Sequence, residues 1–250
     1  MPDREFTGHT AFITGAGAGI GRATALAFAR AGANLILGDL NEDALTETQT
    51  LAESLGALTV AKITNVANEP EVAALLAAGL EVFPRLDHAF NNAGITTYVE
   101  TWDLSEIEKV MAVNFNGVVY GMKHQIGQFQ AQGTPGTIVN TASIAGLSGA
   151  GTAEYCASKH AVIGLTRSAG VRNAPLGIRI NAVCPGVIET SMTAPLLAND
   201  AIRPMILQMC PIGRVGRPEE IADAVLFLSS PRASFIIGHA LPVDGGYMAS

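Results

Sequence analysis

Tyr155 and Lys159 are the residues of this sequence whose types and spacing most directly suggest catalysis. They lie four residues apart, so in a helix both side chains share one face. An ammonium group beside a phenol favours the phenolate and can lower the pKa of tyrosine below its reference value of about 10. Such a pair can exchange a proton with an alcohol or a ketone without a metal ion. The same spacing also occurs where a surface lysine covers an aromatic ring, so the catalytic interpretation depends on the rest of the chain.

A glycine-rich segment lies near the start of the chain, where residues 14–21 read Thr-Gly-Ala-Gly-Ala-Gly-Ile-Gly. A predicted strand precedes it and a predicted helix follows, which is the setting of a dinucleotide-binding turn. Glycines let backbone amides approach a pyrophosphate, and the positive end of the helix dipole attracts the same anion. Asp39 ends the next predicted strand, where a carboxylate binds the adenosine ribose and repels a 2′-phosphate. No arginine lies in the turn and Leu40 follows Asp39, so the sequence favours NAD over NADP.

Short apolar runs alternate with helical segments along all 250 residues. This repetition predicts an α/β fold, a Rossmann-type doubly wound parallel sheet of about seven strands with helices on both faces. No linker or internal repeat divides the chain, so we expect a single domain over 1–250, with an N-terminal tail over 1–8. Residues 186–213 interrupt the alternation. This segment is predicted to be a substrate lid, the alternative being two ordinary surface helices with apolar contacts.

The composition limits the classes of partner. Hydrophobic residues make up 48% of the chain and charged residues 15%, which suits a sheet covered on both faces and further burial in an oligomer. The net charge is −7 and no run of Lys or Arg forms a basic stripe, so we expect neither nucleic acid nor a membrane surface as a partner. No apolar segment approaches the roughly 18 residues of a membrane span, and the first residues lack a signal-peptide core.

Cysteine and histidine usage indicates a cytoplasmic protein without a metal site. The three cysteines are odd in number and lack metal-ligand spacing, which is typical of reduced thiols. The five histidines are scattered and form no closely spaced pair. We therefore expect no metal ion in this protein.

The motifs together resemble those of the short-chain dehydrogenase/reductase superfamily in its typical 250-residue, NAD-dependent form. The resemblance runs from about Thr10 to Gly246, nearly the whole chain. It is carried by Thr-Gly-x-x-x-Gly-x-Gly at 14–21, Asn-Asn-Ala-Gly at 91–94, Asn114, Ser143, Tyr155, Lys159, Pro185-Gly186 and Asp244-Gly245-Gly246. The resemblance implies an oxidoreductase that transfers a hydride between a nicotinamide cofactor and a secondary alcohol or its ketone.

The resemblance also implies roles for four catalytic residues. Tyr155 would be the general acid/base that trades a proton with the substrate oxygen. Lys159 would lower the pKa of Tyr155 and hold the nicotinamide ribose. Ser143 would hydrogen-bond the substrate oxygen. Asn114 would hold a water that links Lys159 to solvent as a proton relay.

A larger set of residues is implied to bind the dinucleotide: Gly15, Gly19, Ile20, Gly21, Asp39, Leu40, Asn65, Val66, Asn92, Ala93, Gly94, Tyr155, Lys159, Pro185, Gly186, Ile188 and Thr190. Asn65-Val66 departs from the usual Asp-Val against the adenine, but the amide keeps an acceptor oxygen, so adenine binding should survive. Asn92 and Gly94 would line the adenosine ribose. The resemblance further implies a homotetramer that assembles through helices over 104–132 and 154–172.

The substrate walls are less well defined by the sequence. The candidates are Ile95, Thr96, Leu147, Glu154, Val187, Met192, Met205 and Met209. Most are apolar, and no arginine or lysine is placed to clamp a carboxylate or phosphate. This predicts a hydrophobic secondary alcohol or ketone, alicyclic or aryl. Glu154 would either accept a hydrogen bond from a second hydroxyl or point to solvent, and we favour solvent.

Three functions therefore compete. The first is an NAD-dependent secondary-alcohol dehydrogenase. The second is a 3-oxoacyl-thioester reductase acting on an acyl-carrier-protein or CoA substrate. Enzymes of that kind usually prefer NADPH, so Asp39 counts against it. The third is a non-catalytic dinucleotide-binding regulatory protein, which the intact catalytic set argues against.

Overall fold

The sheet of this protein holds seven parallel strands in the order β3-β2-β1-β4-β5-β6-β7. The structure, a computed structural model, describes residues 4–98 and 102–250. The strands are β1 Thr10–Thr14, β2 Asn34–Asp39, β3 Thr59–Ile63, β4 His88–Asn91, β5 Gly136–Thr141, β6 Ile178–Pro185 and β7 Ala240–Val243. The predicted doubly wound parallel sheet is confirmed.

Helices connect the strands and cover both faces of the sheet. They are α1 Gly19–Arg30, α2 Glu42–Ser54, α3 Glu69–Val82, α4 Leu104–Met111, α5 Gly117–Gln132, α6 Ala153–Asn173, α7 Ala194–Leu197, α8 Arg203–Gln208 and α9 Pro218–Ser229. A π-helical turn, Ala112–Asn116, joins α4 to α5. Within the described ranges, no helix combines the length and the apolar character that crossing a membrane requires.

Two hydrophobic clusters lie on opposite faces of the sheet. Neighbouring residues of one strand belong to different clusters: Ile36 packs with α3 and α5, whereas Leu35 and Leu37 pack with α1 and α9. All three side chains are fully buried. Side chains of a strand alternate between its two faces, so a sheet covered on both faces needs apolar residues throughout its strands. This explains the continuous apolar runs in the sequence.

The strand order reverses between β1 and β4, which opens a crevice at the carboxyl ends of the strands. Asn92, just past β4, spans this point: its backbone N–H donates to Thr14 Oγ1 at 3.1 Å, and its side-chain amide donates to the Thr14 carbonyl at 3.1 Å. The ends of the two central strands are thereby held together. The motif residues that follow β1, β4, β5 and β6 meet at this edge.

Phe6 lies within the predicted N-terminal tail but packs in the core. Its ring is fully buried and contacts Phe28 edge-on, with 5.1 Å between the ring centroids. Its backbone N–H donates to the Ala31 carbonyl at 3.0 Å. One isolated apolar residue gave no periodic pattern from which this docking could be predicted.

The predicted lid, residues 186–213, contains α7, α8 and the loops around them. Its two ends are pinned together by a short parallel bridge between Ile188 and Gly216. The Glu189 N–H donates to the Gly216 carbonyl at 2.8 Å, and the Gly216 N–H donates to the Val187 carbonyl at 2.9 Å. The segment is therefore a loop whose two ends lie close together, and it lies beside the carboxyl edge of the sheet.

Candidate active site

Tyr155 and Lys159 lie in the first turns of α6 and share one face, as their spacing predicts. Lys159 Nζ is 5.6 Å from the centroid of the Tyr155 ring. The Lys159 side chain is only 3% exposed, and Nζ donates a hydrogen bond of 2.9 Å to the Thr141 carbonyl at the end of β5. The end of β5 thus fixes the ammonium group beneath the tyrosine.

The pKa of Tyr155 is shifted in the direction opposite to the one that the pair alone predicts. Burial raises the pKa of the Tyr155 hydroxyl, and the hydrogen bond from Ser143 opposes this shift only in part. Burial also lowers the pKa of Lys159 to about 8. The spacing of the two residues predicts the attraction between them but not the cost of removing both from water, which depends on tertiary packing.

Ser143 holds its hydroxyl toward Tyr155. It follows β5 and begins a 3₁₀ turn over Ile144–Gly146, where its Oγ accepts the Ala145 N–H at 3.1 Å. Its own O–H hydrogen-bonds the Tyr155 hydroxyl, which favours the phenolate form. Because the backbone amide fixes Oγ, the two hydroxyl groups face the same point of the crevice.

The fully buried Asn114 lies in the π-helical turn and uses its whole side-chain amide within the protein. Oδ1 accepts the N–H of Ile95 at 2.8 Å, and Nδ2 donates to the carbonyl of Ile95 at 2.9 Å. Nδ2 also lies 3.1 Å from Ser158 Oγ on α6, which in turn donates to the Tyr155 carbonyl at 2.8 Å. The side chain therefore holds Ile95, a predicted substrate residue, against α6.

A cavity of about 410 Å³ lies at the crevice and brings most of the predicted site together. Ser143 lines it, as do the predicted cofactor residues Gly15, Gly19, Ile20, Asp39, Asn92, Ala93, Gly94, Tyr155, Lys159, Pro185, Gly186, Ile188 and Thr190. Its volume lies within the ordinary range for small-molecule sites. The glycine turn and the tyrosine–lysine pair thus border one continuous space.

The N-terminus of α1 faces this cavity without a cap. Ala18, at the N-cap position, makes no side-chain hydrogen bond, and the first turn carries no acidic residue. Ala18, Gly19 and Ile20 all line the cavity. The first N–H groups of a helix have no partner within it, so this end can hold a pyrophosphate. The residues present therefore fit a dinucleotide.

Asp39 is fixed at the other end of the cavity. Its Oδ2 accepts the Gly17 N–H at 2.7 Å, and its Oδ1 accepts the Asn41 N–H at 2.9 Å. The nearby guanidinium of Arg22 forms an ion pair of 2.6 Å with Glu47. It also donates to the Gly17 carbonyl at 2.6 Å. The carboxylate therefore faces the cavity, while this neighbouring cation is paired elsewhere.

Four predicted cofactor residues do not line this cavity: Gly21, Leu40, Asn65 and Val66. A Cβ atom on Gly21 would lie 1.9 Å from the Gly15 carbonyl oxygen, so this glycine lets the turn pack rather than contacting a ligand. Leu40 is 69% exposed, and Val66 is buried. The Asn65 side chain closes a local turn by accepting a backbone N–H.

The predicted substrate residues are scattered around the cavity. Met192 lines it, whereas Met205 and Met209 of the lid are exposed. Val187 borders a separate cavity of about 100 Å³ beneath the lid. Leu147 packs against the hydrophobic core. A wall of lid methionines is therefore not assembled in this structure.

Glu154 does not point to solvent, contrary to the prediction. It is only 4% exposed, and its carboxylate accepts a hydrogen bond from Thr97 Oγ1. Bonds from Thr97, from its own backbone N–H and from Thr152 lower its pKa. Three donors from the protein therefore hold the carboxylate in place. The neighbouring Thr96 hydroxyl donates to the Thr97 carbonyl at 3.2 Å.

Sequence reasoning missed several residues of the site. Gly17 and Ala18 line the cavity within the predicted glycine turn, and the lining residues outside every predicted motif are Asn41, Ala44, Thr141, Ala142, Ser191 and Thr193. Thr141 acts through its carbonyl, and a main-chain contact leaves no signature in residue type. Tyr98 donates from its hydroxyl to the Met192 carbonyl at 2.6 Å, a contact that no local pattern indicates. Across 4–98 and 102–250, no three His, Cys, Asp or Glu side chains come together as a metal site.

Comparison with known proteins places the chain among dehydrogenases and reductases of its own length. The family model described as enoyl-(acyl carrier protein) reductase, a short-chain dehydrogenase model, matches residues 15–248. The cyclohexanol dehydrogenase of Acinetobacter sp. (strain SE19) is 41% identical over 247 residues, 97% of this chain and 96% of that protein. The 3-oxoacyl-[acyl-carrier-protein] reductase of Thermotoga maritima is 36% identical, over 96% of this chain and 97% of that protein.

Solved structures share the fold over the whole chain. The crystal structure of levodione reductase superposes with a TM-score of 0.93 at 36% identity, covering 98% of this chain and 99% of that one. A structure from Beutenbergia cavernae, named as an NAD(P)-dependent gluconate 5-dehydrogenase, superposes with a TM-score of 0.92 at 35% identity. It covers 99% of both chains and holds NADP at low occupancy.

Proposed function

The chain belongs to the short-chain dehydrogenase/reductase family, and on that premise we propose that it interconverts a hydrophobic alicyclic secondary alcohol and its ketone with NAD as cofactor. One observation carries the proposal. Ser143 and Tyr155 both line the cavity that the glycine turn borders, and Lys159 lies buried beside them. The similarity to a cyclohexanol dehydrogenase supports the alicyclic class.

Tyr155 and Ser143 handle the substrate oxygen. In alcohol oxidation Tyr155 accepts the hydroxyl proton, and in ketone reduction it returns a proton to the oxygen. Ser143 donates to the same oxygen and stabilises the negative charge that develops there. The bound nicotinamide ring supplies the chemistry of hydride transfer.

The proton leaves the site through Lys159 and the π-helical turn. With a pKa of about 8, Lys159 can gain and lose a proton near neutral pH. Both donors of the Asn114 amide are committed, to Ile95 and Ser158, and its oxygen already accepts the Ile95 N–H, so we expect a relay water to bind a main-chain carbonyl of this turn. Widening a helix to a π turn disturbs the usual carbonyl pairing and makes such a carbonyl accessible.

The preference for NAD rests on Asp39. A fixed carboxylate at the ribose end accepts hydrogen bonds from ribose hydroxyls and repels a 2′-phosphate. Arg22, whose guanidinium lies near this end of the cavity, is paired with Glu47. The related Beutenbergia cavernae structure holds NADP, so the ratio of kcat/KM for the two cofactors tests this part of the proposal.

A 3-oxoacyl-thioester reductase is the second candidate. The similarity to the Thermotoga maritima reductase favours it, and the carboxylate of Asp39 counts against an NADPH-dependent enzyme of that kind. The two candidates differ in substrate. A thioester substrate carries a long polar arm, whereas an alicyclic alcohol needs only a short apolar space.

We also propose that the protein forms a homotetramer in a reducing compartment, the cytoplasm. Val171 at the end of α6 and Phe235 near β7 are large apolar side chains that one chain leaves exposed. Contact with a second copy would cover them. Within the described residues no disulfide joins Cys156, Cys184 or Cys210, which suits a reducing compartment. Light scattering of the purified protein tests the tetramer.

The test of the proposed function is NAD-dependent oxidation of a panel of secondary alcohols: aliphatic, alicyclic, aryl and 3-hydroxyacyl thioester. We expect turnover of alicyclic members, and its loss in Tyr155→Phe. Turnover of the thioester alone would favour the second candidate. Tight binding of NADH without turnover of any member would favour a non-catalytic dinucleotide-binding protein.

A further inference from the structure

The segment Gly94–Tyr98, here called the β4 loop, is held from three directions. Asn114 binds both backbone groups of Ile95, as described above. Glu154 accepts the Thr97 hydroxyl. The Tyr98 hydroxyl donates to the carbonyl of Met192 in the predicted lid. The loop therefore connects the catalytic helix α6 to the lid.

The carboxylate of Glu154 links the β4 loop to α6, and it lies buried at the N-terminus of this helix. Thr152, the N-cap residue, makes no capping bond to the helix, and its hydroxyl lies 2.8 Å from Thr97 Oγ1. The carboxylate of Glu154 accepts its own backbone N–H instead, together with the two threonine hydroxyls. A carboxylate is favoured at a helix N-terminus, and charge-assisted hydrogen bonds are the stronger ones. Thr97 is thus tied to the residue that directly precedes Tyr155.

The contact from Tyr98 falls on a part of the lid that faces the site. Met192 lines the central cavity, and the base of the lid is already closed by the bridge between Ile188 and Gly216. Tyr98 therefore fixes the lid at a second place, away from its base. The position of Met192 decides how much room remains between the lid and Ser143 and Tyr155.

We propose that Glu154 is a positioning residue that, by holding Thr97, places Tyr98 to fix Met192 and so sets the substrate entrance. The inference rests on the proposed function, because its main readout is turnover of an alcohol. Glu154 lies next to Tyr155 in the chain, but its carboxylate is turned to the β4 loop. Its loss should therefore weaken substrate binding without changing the proton transfer.

The first test compares Glu154→Ala, Glu154→Gln and Tyr98→Phe in steady-state kinetics with the alcohol that the panel identifies. We expect KM to rise about tenfold in Glu154→Ala and about threefold in Tyr98→Phe, with kcat and its pH profile unchanged. Glu154→Gln should raise KM less than Glu154→Ala does, because its amide oxygen still accepts from Thr97 but the charge at the helix N-terminus is lost. Glu108→Ala on the exposed face of α4 and Tyr120→Phe on α5 are the matched controls and should leave KM unchanged.

The double variant Glu154→Ala/Tyr98→Phe tests whether both residues act through one loop. If they do, its KM should match that of Glu154→Ala alone, since the tyrosine contact is already lost. If the KM increases of the two single variants multiply in the double variant, the proposal is wrong. A fall in kcat with a shifted pH profile in Glu154→Ala would also overturn it, because Glu154 would then act directly on Tyr155.

A measurement that does not depend on turnover tests this positioning role separately from the proposed function. Trp102 is the single tryptophan of the chain, is 71% exposed and lies four residues after Tyr98. Its fluorescence anisotropy should fall in Glu154→Ala and Tyr98→Phe but not in Glu108→Ala. Unchanged anisotropy in both variants contradicts the positioning role, whether or not any alcohol is turned over. If Glu154→Ala does not fold, Thr97→Val removes the same contact and takes its place.

Discussion

At the carboxyl edge of the sheet, Ser143 and Tyr155 direct their hydroxyls into an open cavity, whereas at the amino edge His9 and His88 hydrogen-bond to each other. His9 Nδ1 lies 2.9 Å from His88 Nε2, and His88 Nδ1 lies 2.7 Å from Thr137 Oγ1. Both edges bury titratable groups. Each edge borders a cavity, of about 410 Å³ at the carboxyl edge and about 320 Å³ at the amino edge, but of these two only the first is bordered by the uncapped N-terminus of α1. A cavity beside buried ionisable groups therefore indicates a cofactor site only when an element that can bind the cofactor borders it as well.

The amino edge uses its remaining polar groups for stability. Asp87 Oδ2 accepts the Thr10 N–H at 2.9 Å, and its Oδ1 pairs with Arg85 at 2.8 Å. Arg179 donates to four backbone carbonyls around the end of α9, at 2.7 to 3.2 Å. Changes at this edge should affect the free energy of unfolding, and changes at the carboxyl edge should affect activity.

The largest effect is expected for Tyr155→Phe. Removing the proton donor and acceptor should lower kcat about a thousandfold, because general acid/base catalysis contributes in that range. Binding of NADH, followed by its fluorescence, and the free energy of unfolding should stay near the wild type. A large loss of stability instead would mean that the hydroxyl of Tyr155 serves the fold.

At the amino edge, His88→Gln should reduce the loss in free energy of unfolding that the wild type shows as the pH falls below neutral. Burial lowers the pKa of His88 to about 3, so the folded protein keeps the ring neutral while the unfolded chain takes up a proton. This stability is complete above the unfolded pKa of about 6.5 and is lost as the pH falls toward 3, with about 3 kcal/mol lost by pH 4.5. Urea titrations from pH 7 to 4.5 measure the difference. Parallel profiles of both proteins would show that His88 is not responsible.

The cofactor end of the cavity is tested by Asp39→Ala/Leu40→Arg. The variant loses a carboxylate that repels a 2′-phosphate and gains a guanidinium that attracts it. The ratio of kcat/KM for NADP to that for NAD should rise about a hundredfold. Asp43→Ala, on the first turn of α2, serves as the control. An unchanged ratio would mean that the ribose does not bind at Asp39.

The smallest effect should come from Arg179→Met. Its loss leaves the carbonyls around the end of α9 without their donor and should lower the free energy of unfolding by about 2 kcal/mol. The kcat with the preferred alcohol should not change. Arg30→Met, at the exposed end of α1, is the matched control and should have little effect. A loss of activity at unchanged stability would contradict the division between the two edges.

The site at the carboxyl edge could be predicted from the sequence because each of its parts depends on local chemistry. The glycine turn, Asp39 and the pair Tyr155 and Lys159 each follow a strand or share a helix face, so residue type and spacing were sufficient to bring them to one edge. The strand alternation likewise predicted the sheet. Each of these features depends on residues that lie close together in the sequence, so a local pattern was enough to predict it.

The parts that sequence could not predict depend on contacts between distant residues. Glu154 meets Thr97 across 57 positions, so its burial could not be derived from its neighbours. The raised pKa of Tyr155 comes from desolvation, which exists only after packing. The π-helical turn at Ala112–Asn116 and the main-chain anchor of Lys159 also leave no signal in residue type.

In the proposed reaction, a hydride passes from a secondary alcohol to NAD at the carboxyl edge, and Tyr155 is the acid/base. The most direct measurement uses cyclohexanol deuterated at the carbinol carbon and follows deuterium into NADH by mass spectrometry. We predict deuterated NADH with the wild type and almost none over the same time with Tyr155→Phe. Equal transfer by both proteins would contradict the role of Tyr155, and the absence of deuterium from NADH formed by the wild type would contradict hydride transfer from the alcohol.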